Sequence, residues 1–362
     1  MYFDIRAEDV ALTEAQAKTL DDEFFLSGPM SHFSSRIAML LAAHRDSVVP
    51  TPEVEPEFFA ALGLEDAATA LAFTEPDRNL QVAVDALALR HHVAEALTRF
   101  LHAVLVATPR PGDAPCVWLS VADGPKNMID VITANRDAIN ADQGRLASAL
   151  FPTGTVIEGP THVAFSTAIA WLNHAVKLLT DDELSINAAN NKVKHGLAVS
   201  ARGDVRIDLL VDAPVHDGKL PLSAFGDGRS VPIFDRPMLT YLNRLPARLG
   251  QGIEAVSLRV EVPIVLAEAW MLANIYGALF HIAAKKHFGG TLPEGAAPYP
   301  RMVAGRLPAD VLANRPMGYR LAVTLPPDPA RAPRPSGLFF PDGFIPITID
   351  HASKTGAVIV DD

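Results

Sequence analysis

Between residues 187 and 196 the chain reads NAANNKVKHG, which crowds Asn187, Asn190, Asn191, Lys192, Lys194 and His195 into one short stretch. These side chains offer carboxamide hydrogen bonds, two positive charges and an imidazole that can serve as acid or base. At roughly 100° per residue, Ile186, Ala189 and Val193 fall together and form the stripe that a helix would bury. Asn187, Asn191 and Lys194 then fan out on one side, and His195 lies nearly opposite the apolar stripe. Asn191 and His195 are four apart, so their side chains can touch. Gly196 stands just past the expected helix end, where a left-handed backbone is easiest for glycine. A lysine and a histidine in the last turn also complement the negative end of the helix dipole. One reading is therefore a helix cap. The other is a site centred on His195, Lys194 and Asn191, flanked by Asn187, Asn190 and Lys192 as ligand-binding neighbours.

A second polar set lies upstream. Asp85, His92, Glu95, Arg99 and His102 are spaced seven, three, four and three, and so share one side of a helix. Glu95 could orient a histidine beside a site, or the seam could be a solvated face. His92 and Glu95 give at most two ligands within bonding range of one ion, and the adjacent His91 and His92 diverge by a third of a turn, so no metal is expected. Asn274, His281 and Lys285 repeat the seven and four spacing on a later helix. That stripe either meets the polar faces of other helices in a wet cleft or reaches solvent. The chain has no phosphate loop, glycine-rich dinucleotide fingerprint, nucleophile elbow or zinc-protease histidine pair, and no cofactor is expected.

The elements that would position these residues are mostly helical. A run from Asp77 to about Thr108 keeps Val82, Ala86, Leu89, Val93, Leu97, Phe100 and Val104 on one face until Pro109. Helices are also expected over 32–45, 52–64 and 136–151, from Thr161 to Leu179 around Ala164, Ala168, Trp171 and Val176, and from Pro263 to Phe288. After Gly196 the period turns to alternation. LAVSARGDVRIDLLV reads as a hairpin turning at Arg202, Gly203 and Asp204, followed by strand candidates SVPIFD and EAVSLRVEV. Beyond Gly290 prolines recur until a last strand-like TGAVIVDD. The expected fold is mainly α (α+β): a helical bundle with a small antiparallel sheet inserted before the last long helix, and an extended Pro-rich tail. Its expected parts are an irregular helical cap over 1–76, the bundle over 77–288 with the β insertion at about 197–262, and the tail over 289–362 packing on the body.

With 49% hydrophobic and 20% charged residues in 362, the chain can bury a large core. Its net charge of −11 excludes non-specific wrapping of nucleic acid, which needs a basic field, so any such contact would be local. Cys116 is the single cysteine; it excludes an intramolecular disulfide and a cysteine-rich zinc site, and fits a reducing interior in which it is a small buried hydrophobe. MYFDIRAEDV carries no secretory pattern, and the expected location is cytoplasmic. Residues Val262 to Phe288 have the length of a membrane span, but Glu268, Asn274 and His281 within the run are costly in lipid, which favours a buried core helix.

NNKVKHG at 190–196 resembles the signature of the HEPN superfamily of helical-bundle domains, in which an arginine and a polar residue precede a histidine and glycine. Asn191 matches the polar position, His195 the histidine and Gly196 the glycine, while Asn190 stands at the arginine position. The resemblance implies a homodimer. Members with the complete motif are metal-independent ribonucleases, and members lacking the arginine are binding or regulatory modules. No histidine in this chain has an arginine five to seven residues upstream. Asparagine lacks the permanent charge and rigid fork that arginine gives to phosphate oxygens, and Lys192 and Lys194 would act only as flexible point charges. The resemblance therefore points first to a binding or regulatory module for RNA or a phosphate-bearing ligand, with little or no catalysis. The alternatives are a ribonuclease cleaving phosphodiesters with a rewired motif, His195 as acid or base and Lys194 in the electrostatic role, and a structural or oligomeric helical protein without a ligand.

Overall fold

The structure, a computed structural model, describes residues 10–45, 61, 74–181, 186–204, 207–210, 230–245, 252–300, 302, 304–312, 316–324, 334–340 and 343–346. It is mainly α with a small antiparallel β component. Contacts divide the chain into two compact units: Met1–Met39, Ala88–Asn187 and Ile264–Val311 form one, and Leu40–Leu87, Ala188–Pro263 and Leu312–Asp362 the other.

The helices run α1 (Glu14–Leu26), α2 (Pro29–Arg45), α3 (Glu75–Leu105), α4 (Val117–Ala122), α5 (Met128–Ala141), α6 (Gln143–Leu150), α7 (Gly159–Thr180), α8 (Ile186–Lys194), α9 (Val262–His287) and α10 (Pro308–Leu312). Helix α1 was not expected, although its start is written in a capping box: Gln16 N donates to Thr13 Oγ1 while Thr13 N donates to Gln16 Oε1. Its buried face includes Asp21, whose carboxylate accepts from the backbone N–H groups of Val117 and Trp118, both at 2.9 Å, and fixes the start of α4. The Cys116 thiol is buried as expected and also donates to Asp21 Oδ1 at 3.2 Å. Burial pushes the thiol up to about 11, which keeps the proton on sulfur for that bond.

In α3 the expected face is buried at Val82, Ala86, Leu89, Val93, Leu97 and Phe100, and Val104 is half-buried. The helix stops at Leu105, before Pro109, with the N–H groups of both Val106 and Ala107 turning back to the His102 carbonyl. The run expected over 136–151 is two helices, because Asp142 ends α5 and caps α6 by accepting from Gly144 N at 2.9 Å. Helix α7 buries Ala164, Ala168 and Trp171, while Val176 is half-buried. Helix α9 is long and apolar enough to cross a membrane, yet 72% of its most apolar window is buried inside the protein. The helix expected over 52–64 lies outside the described residues except for Ala61.

In the other unit, β1 (Ser200–Arg202), β4 (Met238–Arg244), β5 (Ile253–Arg259), β6 (Gly318–Ala322), β7 (Gly337–Phe340) and β8 (Gly343–Pro346) form one antiparallel sheet in the order β1-β4-β5-β6-β7-β8. The strands β2 (Ile207–Leu210) and β3 (Ser230–Phe234) pair separately. The expected hairpin is therefore not formed: β1 pairs with β4 (Ala201 opposite Leu239) and β2 with β3. The chain bends after β1 at Gly203 and Asp204, where the Arg202 guanidinium clips Asp204 through Nε at 3.0 Å and Nη2 at 2.8 Å, but β1 and β2 each find their partner elsewhere. Strand β3 contains Pro232, which cannot donate to a ladder, and its pair is a two-stranded ribbon with an irregularity between Ile207 and Asp208. Strand β4 had no expected counterpart. The tail expected to be extended supplies α10 and three sheet strands; the strand expected at its end lies outside the described residues. Met238 and Leu338 centre the sheet's apolar face, with Tyr319 and Phe340 against them. Near them Arg320 is buried over the rings of Phe339 and Phe344, donates to the Pro335 carbonyl through Nε and Nη2, and stands 3.6 Å from Glu254.

Candidate functional site

Helix α8 carries the stretch that singled itself out by composition. Ile186 and Ala189 are buried and Val193 is half-buried, so the apolar stripe falls where its spacing puts it. Asn187, Asn191, Lys192, Lys194 and His195 are all exposed. The backbone leaves the helix as a cap: His195 N donates to the Asn191 carbonyl, Leu197 N to that of Val193 and Ala198 N to that of Lys192. Gly196 takes φ +119°, and a Cβ there would meet nothing within 4 Å. The cost of a side chain at Gly196 is thus purely conformational. Gly196→Ala is expected to cost about 1–2 kcal/mol in thermal or denaturant unfolding.

Asn190 behaves differently from its neighbours. It is 5% exposed, and neither its Oδ1 nor its Nδ2 has a hydrogen-bond partner among the described residues. The Asn190 side chain therefore faces inward. Of the six polar residues singled out by composition, five are exposed and Asn190 alone is buried.

The seam on α3 separates as well. Glu95 Oε1 accepts from Arg99 Nε at 3.0 Å, and Arg99 Nη1 donates to the Pro125 carbonyl at 2.9 Å, tying α3 to the loop before α5. His92 is exposed and meets α2 instead, with Arg36 Nη1 3.5 Å from its Nδ1 and the Phe33 ring edge-on at 5.5 Å. His102 is buried, so the seam is not one solvated face. Desolvation, aided by the Arg99 charge, lowers the His102 pKa below its ordinary value near 6.5. The sign follows directly: the fold favours neutral imidazole, so its contribution is complete above pH ~6.5 and is lost as pH falls through the lowered folded value. Melting curves at pH 7.5 and 5.5 should converge in His102→Gln relative to wild type. On α9 the third stripe runs from buried Asn274 through half-buried His281, which donates Nδ1–H to the Ala297 carbonyl at 2.9 Å, to exposed Lys285.

Three ionisable residues that do converge are not among those chosen by spacing. Arg90 Nη1 donates to Glu268 Oε1 at 2.8 Å and His174 Nε2 donates to Glu268 Oε2 at 2.6 Å, linking α3, α7 and α9. All three are buried. Burial alone would raise the Glu268 pKa, but the Arg90 charge and the His174 hydrogen bond outweigh it and hold the carboxyl below its usual range. Two signals were present: Glu268 as the single acidic residue of a long, mostly apolar helix, and Arg90 next to buried Leu89 with His174 one turn from buried Trp171. Their exclusion from water suits a structural clamp better than a site for an entering substrate.

Among the described residues no three histidine, cysteine, aspartate or glutamate side chains gather closely enough to hold a metal ion. No protein-family model matches the chain, and comparison with curated proteins and with solved structures finds no match to either.

Proposed function

We propose that the protein is a HEPN-like binding or regulatory module, acting as a cytoplasmic homodimer, that takes RNA or another phosphate-bearing ligand by local contact at the C-terminal end of α8. The observation that carries this reading is the division of labour within α8: Lys192, Lys194, His195 and Asn191 are exposed together while Asn190 is buried. An inward-facing asparagine cannot brace a phosphate, so the fixed charge needed to stabilise a pentavalent transition state is missing. Exposed ammonium groups are suited to holding a phosphate as point charges in water, which gives affinity without much catalysis.

Fluorescence anisotropy with an end-labelled single-stranded RNA tests the reading. At 50 mM salt the wild type should bind, and Lys192→Gln/Lys194→Gln should bind about ten-fold more weakly, the order expected when two phosphate contacts are lost. The RNA should be recovered at full length. Cleavage that His195→Ala abolishes at unchanged melting temperature would favour the rewired ribonuclease instead.

A further inference from the structure

The helical unit contains a cavity of about 250 Å³ between α3, α5, α6 and α7, remote in sequence from the α8 stretch. Ile132, Ile139, Phe165 and Ile169 are among its walls, and Arg136, Asn140, Gln143 and Asn173 are its exposed polar residues. Among the described residues that line it, Arg136 is the only charged one and none is a carboxylate, so nothing there would hold a cation. An apolar cavity of about 150 Å³ admits benzene; this one has room for one substituted ring or two fused rings.

Asn135 gives the cavity its polarity. It is 4% exposed, lines the cavity, and donates Nδ2–H to the Thr98 carbonyl at 2.9 Å. That bond settles which end of the carboxamide is nitrogen. Oδ1 is then left buried, with no hydrogen-bond partner among the described residues. A buried acceptor without a donor is destabilising, and a native fold seldom keeps one without a reason. The last torsion of asparagine is broad, so a modest turn presents Oδ1 to the cavity while Nδ2 keeps its hold on Thr98.

We infer that this cavity is a binding site for a small aromatic molecule of one or two rings, neutral or anionic, that carries a single N–H or O–H donor satisfied by Asn135 Oδ1. The apolar walls supply most of the affinity and the donor supplies the selectivity, as is usual for small-molecule pockets.

Indole and benzothiophene are suitable probes, because they share shape and size while only indole has a donor. Calorimetric titration of the full chain should give saturable one-to-one binding of indole with a Kd below about 1 mM, and benzothiophene should bind roughly two- to ten-fold more weakly, the value of one neutral hydrogen bond. Ile169→Trp, which fills the cavity from α7, should weaken indole at least ten-fold while the circular dichroism spectrum stays native. The inference is overturned if wild type shows no saturable indole binding, if benzothiophene equals indole, or if natively folded Ile169→Trp binds as wild type does. Should Ile169→Trp fail to fold, the indole and benzothiophene comparison on wild type decides alone.

Discussion

Glu268→Ala is expected to cost about 3–5 kcal/mol of stability, the penalty for breaking a buried ion pair from one side. For a unit of this size that lowers the melting temperature by roughly 10 °C. The carboxylate is 1% exposed and accepts from Arg90 on α3 and from His174 on α7. Its removal leaves the Arg90 guanidinium in the interior with no counter-charge, and that uncompensated charge accounts for most of the loss. Replacing all three together, as Arg90→Met/His174→Phe/Glu268→Leu, should recover much of it, because burying apolar groups of similar volume involves no ionic desolvation. The pH dependence gives a second readout. With its folded pKa depressed, Glu268 adds stability that is complete above its ordinary value near 4.5 and is lost as pH falls through the lowered value. The alanine variant should lack that acid limb in a series of melts from pH 6 to pH 3. Equal acid sensitivity in the two proteins would contradict the clamp.

Phe100→Ala should cost a similar amount, about 3–5 kcal/mol, through a different mechanism. Phe100 is fully buried in an aromatic cluster with ring centroids 5.0 Å from Tyr276, 5.6 Å from Phe280 and 6.2 Å from Phe24. Alanine would open a cavity whose walls belong to α1, α3 and α9, none of which can close it without moving the others. Phe100→Leu keeps more of the volume and should cost roughly half as much in chemical denaturation.

Both sites show what can be read from the chain alone. Helices α3 and α9 were legible because their apolar spacing repeats over many turns, and long repetition leaves little room for another reading. The cap of α8 was legible for a local reason: Gly196 and the residues before it specify a helix end without help from the rest of the chain. Helix α1 was missed although Thr13 and Gln16 spell its start, because its buried face contains Asp21, which reads as a surface residue until its partners on α4 are known. The pairing of β1 with β4 instead of β2, and the three tail strands beyond Gly290, depend on which distant strand completes a ladder. The same limit hid the Arg90, His174 and Glu268 cluster, whose members lie between 84 and 178 residues apart. Spacing within one helix grouped Glu95 with His92 and His102, yet burial and partners on other elements sent each to a different neighbour.

If Lys192 and Lys194 meet phosphates at the end of α8, as proposed, RNA binding must depend on salt through those two contacts. Two contacts to a single strand give a slope of about −1.4 for log K against log salt concentration. The wild type should show that slope between 50 and 200 mM salt, and Lys192→Gln/Lys194→Gln should show a slope near zero. The same slope in both proteins, or no binding by wild type at 50 mM salt, would contradict the account.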